Sequence, residues 1–305
     1  MVSCGDLAID GAPTEIALQD VREEVRTFVD VRRSTPANED FAGSSSRRLD
    51  TRLWYAERAL RRPSCSGSRC ALILLAHGFG GRTERFDAIG QRLAAAGYII
   101  AAVSFPLTNQ DAPGGFLNGG FDAGQQPADV SFVVDALLAA SLAPADALYQ
   151  RIDGAKVAAV GHSLGGTTVI AASRASCCRD TRLVATVYVE PATFAVEALF
   201  GESYSPSGPP TLTFQGTLDV PILAADTRAF HVGLEAPKIL VEMVGGNHVN
   251  MIERLPTGPD PLLEEAAEMM IAFFDTYVVG GPDRVGEVAA RLRASGHTVS
   301  VEGSG

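Results

Sequence analysis

Ser163 stands in the pattern Gly161-His162-Ser163-Leu164-Gly165, between the apolar run KVAAV at 156–160 and an alanine-rich stretch of helical character that continues to Ser176. A strand that ends in G-x-S-x-G and feeds at once into a helix makes a turn too sharp for side chains on either side of the serine. The two glycines leave that room, and the hydroxyl is held out of the fold. The helix behind presents its free N–H groups, and the positive end of its dipole, to any oxyanion formed at the serine. These are the parts of a nucleophile for acyl transfer. At neutral pH a serine also needs a base, and the base needs an acceptor that fixes its tautomer and stabilises its cation. A second glycine-dense turn, His77-Gly78-Phe79-Gly80-Gly81, closes the apolar run ALILLA at 71–76 and lets backbone approach a ligand closely. His77 itself reads as a structural ring bonded to backbone.

The elbow GHSLGG, with AHGFGG at 76–81 one strand earlier, resembles the α/β-hydrolase superfamily over roughly residues 24–278. Within it, SFPLT at 104–108, the glycine-rich loop at 114–124 and QPADVSFVVDALL at 126–138 resemble a narrower bacterial group. That group holds chlorophyllase-like, dienelactone-hydrolase-like and platelet-activating-factor acetylhydrolase-like esterases, relatives of cutinase-type polyester hydrolases. A serine in the elbow, where cysteine would mark a true dienelactone hydrolase, departs from part of that pattern. The resemblance implies the chain order serine, acid, histidine. His248, in a Gly- and Asn-rich loop past a strand, is then favoured as base over His231, which sits inside an amphipathic stretch. Asp219, in GTLDVP at the end of a strand, is the favoured acid, with Glu190 at the end of the preceding strand as the alternative. The resemblance also implies an oxyanion hole made by the backbone N–H groups of Phe79 and Leu164.

These residues need a scaffold that holds them at one edge. EVRTFVDVRR at 24–33 and LDTRLWYAE at 49–57 alternate as two early strands of an antiparallel sheet edge. ALILLA and IIAAVSF (99–105) are continuous apolar runs of the kind a strand buried on both faces requires. LVATVYV (183–189), TLTFQG (211–216) and PKILVEM (237–243) follow, each ending at candidate site residues or just before them. Helical patterns fall at 83–98, 127–138, 144–152 and 262–278. The expected fold is therefore an α/β-hydrolase fold, a mostly parallel doubly wound sheet with helices on both faces. The catalytic domain is expected over 24–278, with an irregular arm at 1–23 and a small appendage at 279–305. The loop at 106–126 is the expected pocket wall, with Phe116, Leu117 and Phe121 joining Phe79 as candidate substrate contacts. About twenty residues separate the strands at 183–189 and 211–216, too few for a large lid. Asp129 and Asp135 read as solvated or capping charges, and Asp226 and Glu235 as solvated ones.

A chain of 305 residues with 46% hydrophobic and 20% charged residues can bury one large core. Its net charge of -11 argues against nucleic acid and against docking on an anionic membrane by charge. No run reaches the roughly 18 apolar residues of a membrane span. No histidine-carboxylate cluster has metal-ligand spacing and no phosphate-cradling loop occurs, so neither metal nor cofactor is expected. Of the five cysteines, Cys65 and Cys70 can close a small disulfide, Cys177 and Cys178 are adjacent, and Cys4 resembles the lipid-bearing residue of a bacterial lipoprotein. A secreted or lipid-anchored extracellular bacterial protein is expected over a cytoplasmic one. The expected activity is a serine carboxylesterase on small-molecule or polymeric esters. Its alternatives are a phospholipid-acetyl hydrolase and a non-catalytic binding protein on the same scaffold.

Overall fold

The computed structural model describes residues 18–56, 65–66, 69–254 and 260–303. The strands are β1 (Val21–Asp30), β2 (Arg47–Ala56), β3 (Cys65–Ser66), β4 (Arg69–Ala76), β5 (Ile99–Val103), β6 (Ile152–His162), β7 (Leu183–Val189), β8 (Thr211–Gly216), β9 (Lys238–Met243) and β10 (Thr298–Glu302). They form one sheet in the order β1-β2-β5-β4-β6-β7-β8-β9-β10, with the two-residue β3 paired to β4. The strands from β5 across to β9 run parallel, and β1, β2 and β10 are antiparallel to their neighbours.

In β4 the alternation of a pleated strand sorts an unbroken apolar run onto two faces. Ala71, Ile73 and Leu75 enter one core and Leu72, Leu74 and Ala76 the other. The first core is closed by α1 (Asp87–Ala95), α6 (Pro261–Phe274) and α7 (Val285–Ala294). The second is closed by α2 (Gln126–Leu142), α3 (Leu164–Arg174), α4 (Ala195–Phe200) and α5 (Ala224–Val232). Between β7 and β8 the chain carries only α4 and turns, so no large lid covers the sheet edge among the described residues.

From β4 the chain moves outward to β5 and then crosses back to β6 on the opposite side. The strand order therefore reverses between β4 and β6, and a crevice opens at their carboxyl ends, where open α/β sheets bind ligands. Both glycine-dense turns end there.

Four expectations differ from the structure. Residues 279–305 are not an appendage: β10 extends the sheet by pairing with β9, Val299 opposite Val241, and Val285, Val288, Ala289 and Leu292 of α7 lie in the first core. The helical pattern at 144–152 forms turns, because the Asp146 side chain accepts from the Leu148 N–H and Gln150 takes a positive φ of 56°. Asp129 is neither solvated nor a cap: it is fully buried against Arg47 and Arg33. At the other end, a short 3-10 turn (Leu18–Asp20) leads into β1 at Val21, so residues 18–23 are not an irregular arm; residues 1–17, with Cys4, lie outside the described residues. Two disulfides form, Cys65–Cys70 and Cys177–Cys178.

Candidate active site

β6 delivers Ser163 at φ 55° and ψ -118°, a left-handed conformation that a serine adopts only when its surroundings hold it there. Its N–H donates to the Val189 carbonyl at 3.0 Å, and its carbonyl accepts from Gly166 and Ala192 N–H groups at 2.9 and 3.0 Å. The flanking glycines are required by contact: a Cβ on Gly161 would lie 2.2 Å from the Gly165 carbonyl oxygen, and one on Gly165 would lie 2.0 Å from that of Ala76. The end of β4 thus presses on the elbow. The turn after β4 does so as well, since a Cβ on Gly78 would stand 2.9 Å from the Ser163 Cβ.

The two N–H groups expected to form an oxyanion hole belong to these turns. Among the described residues, neither the Phe79 nor the Leu164 N–H donates to any backbone carbonyl or side chain. Ser163, Gly78, Phe79, His162 and His248 line one pocket of about 100 Å³, with Arg85, Phe86, Val249 and Ile252 on its far wall. A wider groove of about 580 Å³ shares Arg82 with it, but its arginines are paired with Asp50, Glu84 and Asp111, and it holds neither the serine nor a histidine.

His248 arrives on the loop after β9, and Asp219 on the loop after β8. The Leu218 N–H donates to the Gly246 carbonyl at 2.8 Å and ties the two loops together. Asn247 and Asn250 brace the histidine loop, where Asn247 Oδ1 accepts from the N–H groups of Val249 and Asn250. His248 Nδ1 donates to Asp219 Oδ2 at 2.9 Å, and Asp219 Oδ1 accepts from the Ile222 N–H at 3.0 Å. A proton held on Nδ1 leaves Nε2 unprotonated, which is the tautomer a base requires. His231 is remote from this group: it is buried in α5 with no partner for either ring nitrogen among the described residues, and burial first, then Lys238, lowers its pKa to about 4.

The sequence reading had no role for His162. Its buried ring lies 4.7 Å from that of His248, and its Nε2–H donates to the His248 carbonyl at 2.6 Å. Burial, then His248, lowers its pKa to about 3, so it is a neutral donor that fixes the His248 backbone. The only sign of it in sequence was its place beside Ser163, which does not say where a ring points. His77 donates from Nδ1 to the Gly78 carbonyl at 2.8 Å and accepts the Phe105 N–H on Nε2 at 3.1 Å. It is a satisfied structural ring, its pKa lowered by burial to about 4.

Glu190 also converges on His248. It is fully buried, follows β7 at a positive φ of 50°, and puts Oε2 at 3.4 Å from His248 Nδ1 and 3.8 Å from His162 Nε2. The donor atoms of His162, Glu190 and His248 lie within 4.8 Å of one another, a proximity that sequence spacing did not suggest. Both imidazoles are already engaged, by the His248 carbonyl and by Asp219, so a metal would have to break the Asp219–His248 contact.

Of the candidate substrate contacts, Phe79 lines the serine pocket and meets Phe116 edge-on at 5.3 Å between ring centroids. Leu117 and Phe121 project into solvent from the same loop, 74% and 56% exposed, and do not line the pocket.

The family model described as alpha/beta hydrolase family matches residues 73–305. No curated protein sequence matches the chain. Among solved structures, a ferulic acid esterase from Streptomyces cinnamoneus superposes with a TM-score of 0.62 at 20% identity, over 89% of this chain and 93% of that one. At that identity the likeness is one of fold.

Proposed function

The chain belongs to the alpha/beta hydrolase family, and from that premise we propose that it is a serine carboxylesterase working through an acyl-enzyme. The observation that carries this reading is the 2.9 Å contact from His248 Nδ1 to Asp219, made in the pocket where Ser163 is held in its strained turn. His248 Nε2 takes the hydroxyl proton as Ser163 Oγ attacks the ester carbonyl, and Asp219 stabilises the imidazolium. The Phe79 and Leu164 N–H groups, having no other partner among the described residues, receive the oxyanion. The imidazolium returns its proton to the departing alkoxide. Water, deprotonated by the same nitrogen, then releases the acid and frees Ser163.

A pocket of about 100 Å³ suits a short acyl group, and the Phe79–Phe116 pair supports an apolar or aromatic one. Leu117, Phe121 and Phe194, all more than half exposed and borne on loops at the carboxyl ends of the strands, support polymeric esters as an extension. An exported location belongs to the same reading, because two disulfides suit an oxidising compartment. No helix among the described residues is long and apolar enough to cross a membrane. Thiol titration of the native protein checks the location: one reactive thiol of five cysteines is expected, and five would withdraw the exported assignment.

The test of the activity is hydrolysis of p-nitrophenyl esters from acetate to palmitate, with methyl ferulate added, by wild type and Ser163→Ala. Serine-dependent turnover that is highest on short acyl chains is expected. Turnover confined to short sn-2 chains of phospholipids would favour the phospholipid-acetyl alternative. A folded wild type that neither turns over any ester nor reacts at Ser163 with a fluorophosphonate would leave the binding-protein alternative.

A further inference from the structure

Glu190 Oε1 accepts from the Gly216 N–H at 3.1 Å, but Oε2, fully buried, receives no hydrogen bond among the described residues. The two N–H groups near it are committed elsewhere, His248 Nδ1–H to Asp219 and His162 Nε2–H to the His248 carbonyl. An ionised Glu190 would thus be a buried anion with one backbone donor, beside a second anion, Asp219: Glu190 Oε2 and Asp219 Oδ2 lie 3.4 and 2.9 Å from the same His248 Nδ1. Its neighbours are His162 from the end of β6, Asp219 and Gly216 from the end of β8, and His248 from the loop after β9. No arginine or lysine pairs with it among the described residues, and the charge of Arg85 lowers the His162 pKa further.

Resting on the triad read above, the geometry points to Glu190 as a protonated positioning residue that donates from Oε2 to Asp219, so that the two carboxyls share one proton and one negative charge behind His248. Burial first, and the charge of Asp219 second, hold the Glu190 proton on well above the ordinary carboxylate range. The shared proton has two consequences. It draws electron density from Asp219, which keeps an imidazolium at His248 less stabilised than two anions would. It also leaves a second acceptor, 3.4 Å from the same ring nitrogen, for when Asp219 is lost.

The experiment compares wild type, Glu190→Gln, Glu190→Ala, Asp219→Asn and the Asp219→Asn/Glu190→Gln double variant by kcat/KM on p-nitrophenyl acetate against pH. Glu190→Gln keeps a donor toward Asp219 and is expected to stay within about threefold of wild type with the acidic limb unmoved. Glu190→Ala removes the donor and is expected to shift that limb upward by about one pH unit. Asp219→Asn should keep residual turnover that falls a further tenfold or more in the double variant. A separate readout is the infrared carbonyl band of a protonated carboxyl at neutral pH, expected in wild type and missing from Glu190→Gln. Absence of that band, or a Glu190→Gln loss as deep as that of Asp219→Asn, would show an ionised Glu190 and overturn the assignment. So would an acidic limb that Glu190→Ala does not move. Failure of the triad itself would look different, as turnover that survives Ser163→Ala while the infrared band is present.

Discussion

At the scale of single residues, His248 is held by more than Asp219. The Nε2–H of His162 supports the His248 carbonyl, and one such bond contributes about 0.5–1.5 kcal/mol net. His162→Phe keeps the ring contact and removes the donor. It is expected to lower kcat by up to about tenfold with KM little changed, read from steady-state kinetics on a short ester. Glu190 should also be visible in stability. Its folded pKa is raised to about 9, so the protonated form stabilises the fold below the ordinary carboxyl range, and that contribution is lost as pH rises through about 9. Wild-type stability relative to Glu190→Gln should therefore decline between pH 5 and 9, at up to about 1.4 kcal/mol per pH unit. Urea titrations of both proteins across that range measure it, and parallel curves would contradict it.

Among the elements, the loop at 106–126 depends on a buried ion cluster. Arg47 of β2 makes bidentate bonds to both Asp122 and Asp129, with all three side chains fully buried, and Arg33 reaches the same Asp129. This pins the loop between the antiparallel edge of the sheet and the start of α2. Removing one partner of such a cluster leaves charges buried without compensation, which typically costs about 3–5 kcal/mol. Arg47→Ala is expected to destabilise by about that much in equilibrium denaturation and to raise KM for esters as Phe116 loosens against Phe79. A loss below about 1 kcal/mol would mean that water reaches the aspartates. The elbow's serine and Gly165 meet their neighbours through backbone, the Ser163 N–H on the end of β7 and the Gly165 Cα against the end of β4. That explains why a few glycines and one strained serine were legible in sequence when the side chains around them were not.

For the whole molecule, the C-terminal segment is part of the sheet and of its core. Val285, Val288, Leu292 and Val299 are each at least nine-tenths buried, and burying one such side chain contributes about 1.5–3 kcal/mol. A chain ending at residue 280 also leaves β9 as an unpaired edge. Since a domain's total stability is about 5–15 kcal/mol, that truncation is expected to give insoluble or unfolded protein by circular dichroism. A soluble, cooperatively melting product would restore the appendage view. The sequence determined the alternation of strands and helices, the mostly parallel sheet, the elbow at Ser163 and the short β7–β8 connection. Each of these is written in local periodicity and in glycines that no other residue can replace. It could not determine that α7 and β10 join the sheet, because a short amphipathic helix and a five-residue strand look the same whether they finish a core or hang from it. Nor could it rank Asp219 and Glu190 by distance to His248, give His162 a role, or reveal that Asp129 is buried against Arg47. Those depend on contacts between residues 29 to 86 positions apart, and only the crossing of the chain at the sheet's carboxyl edge brings such residues within reach of one another.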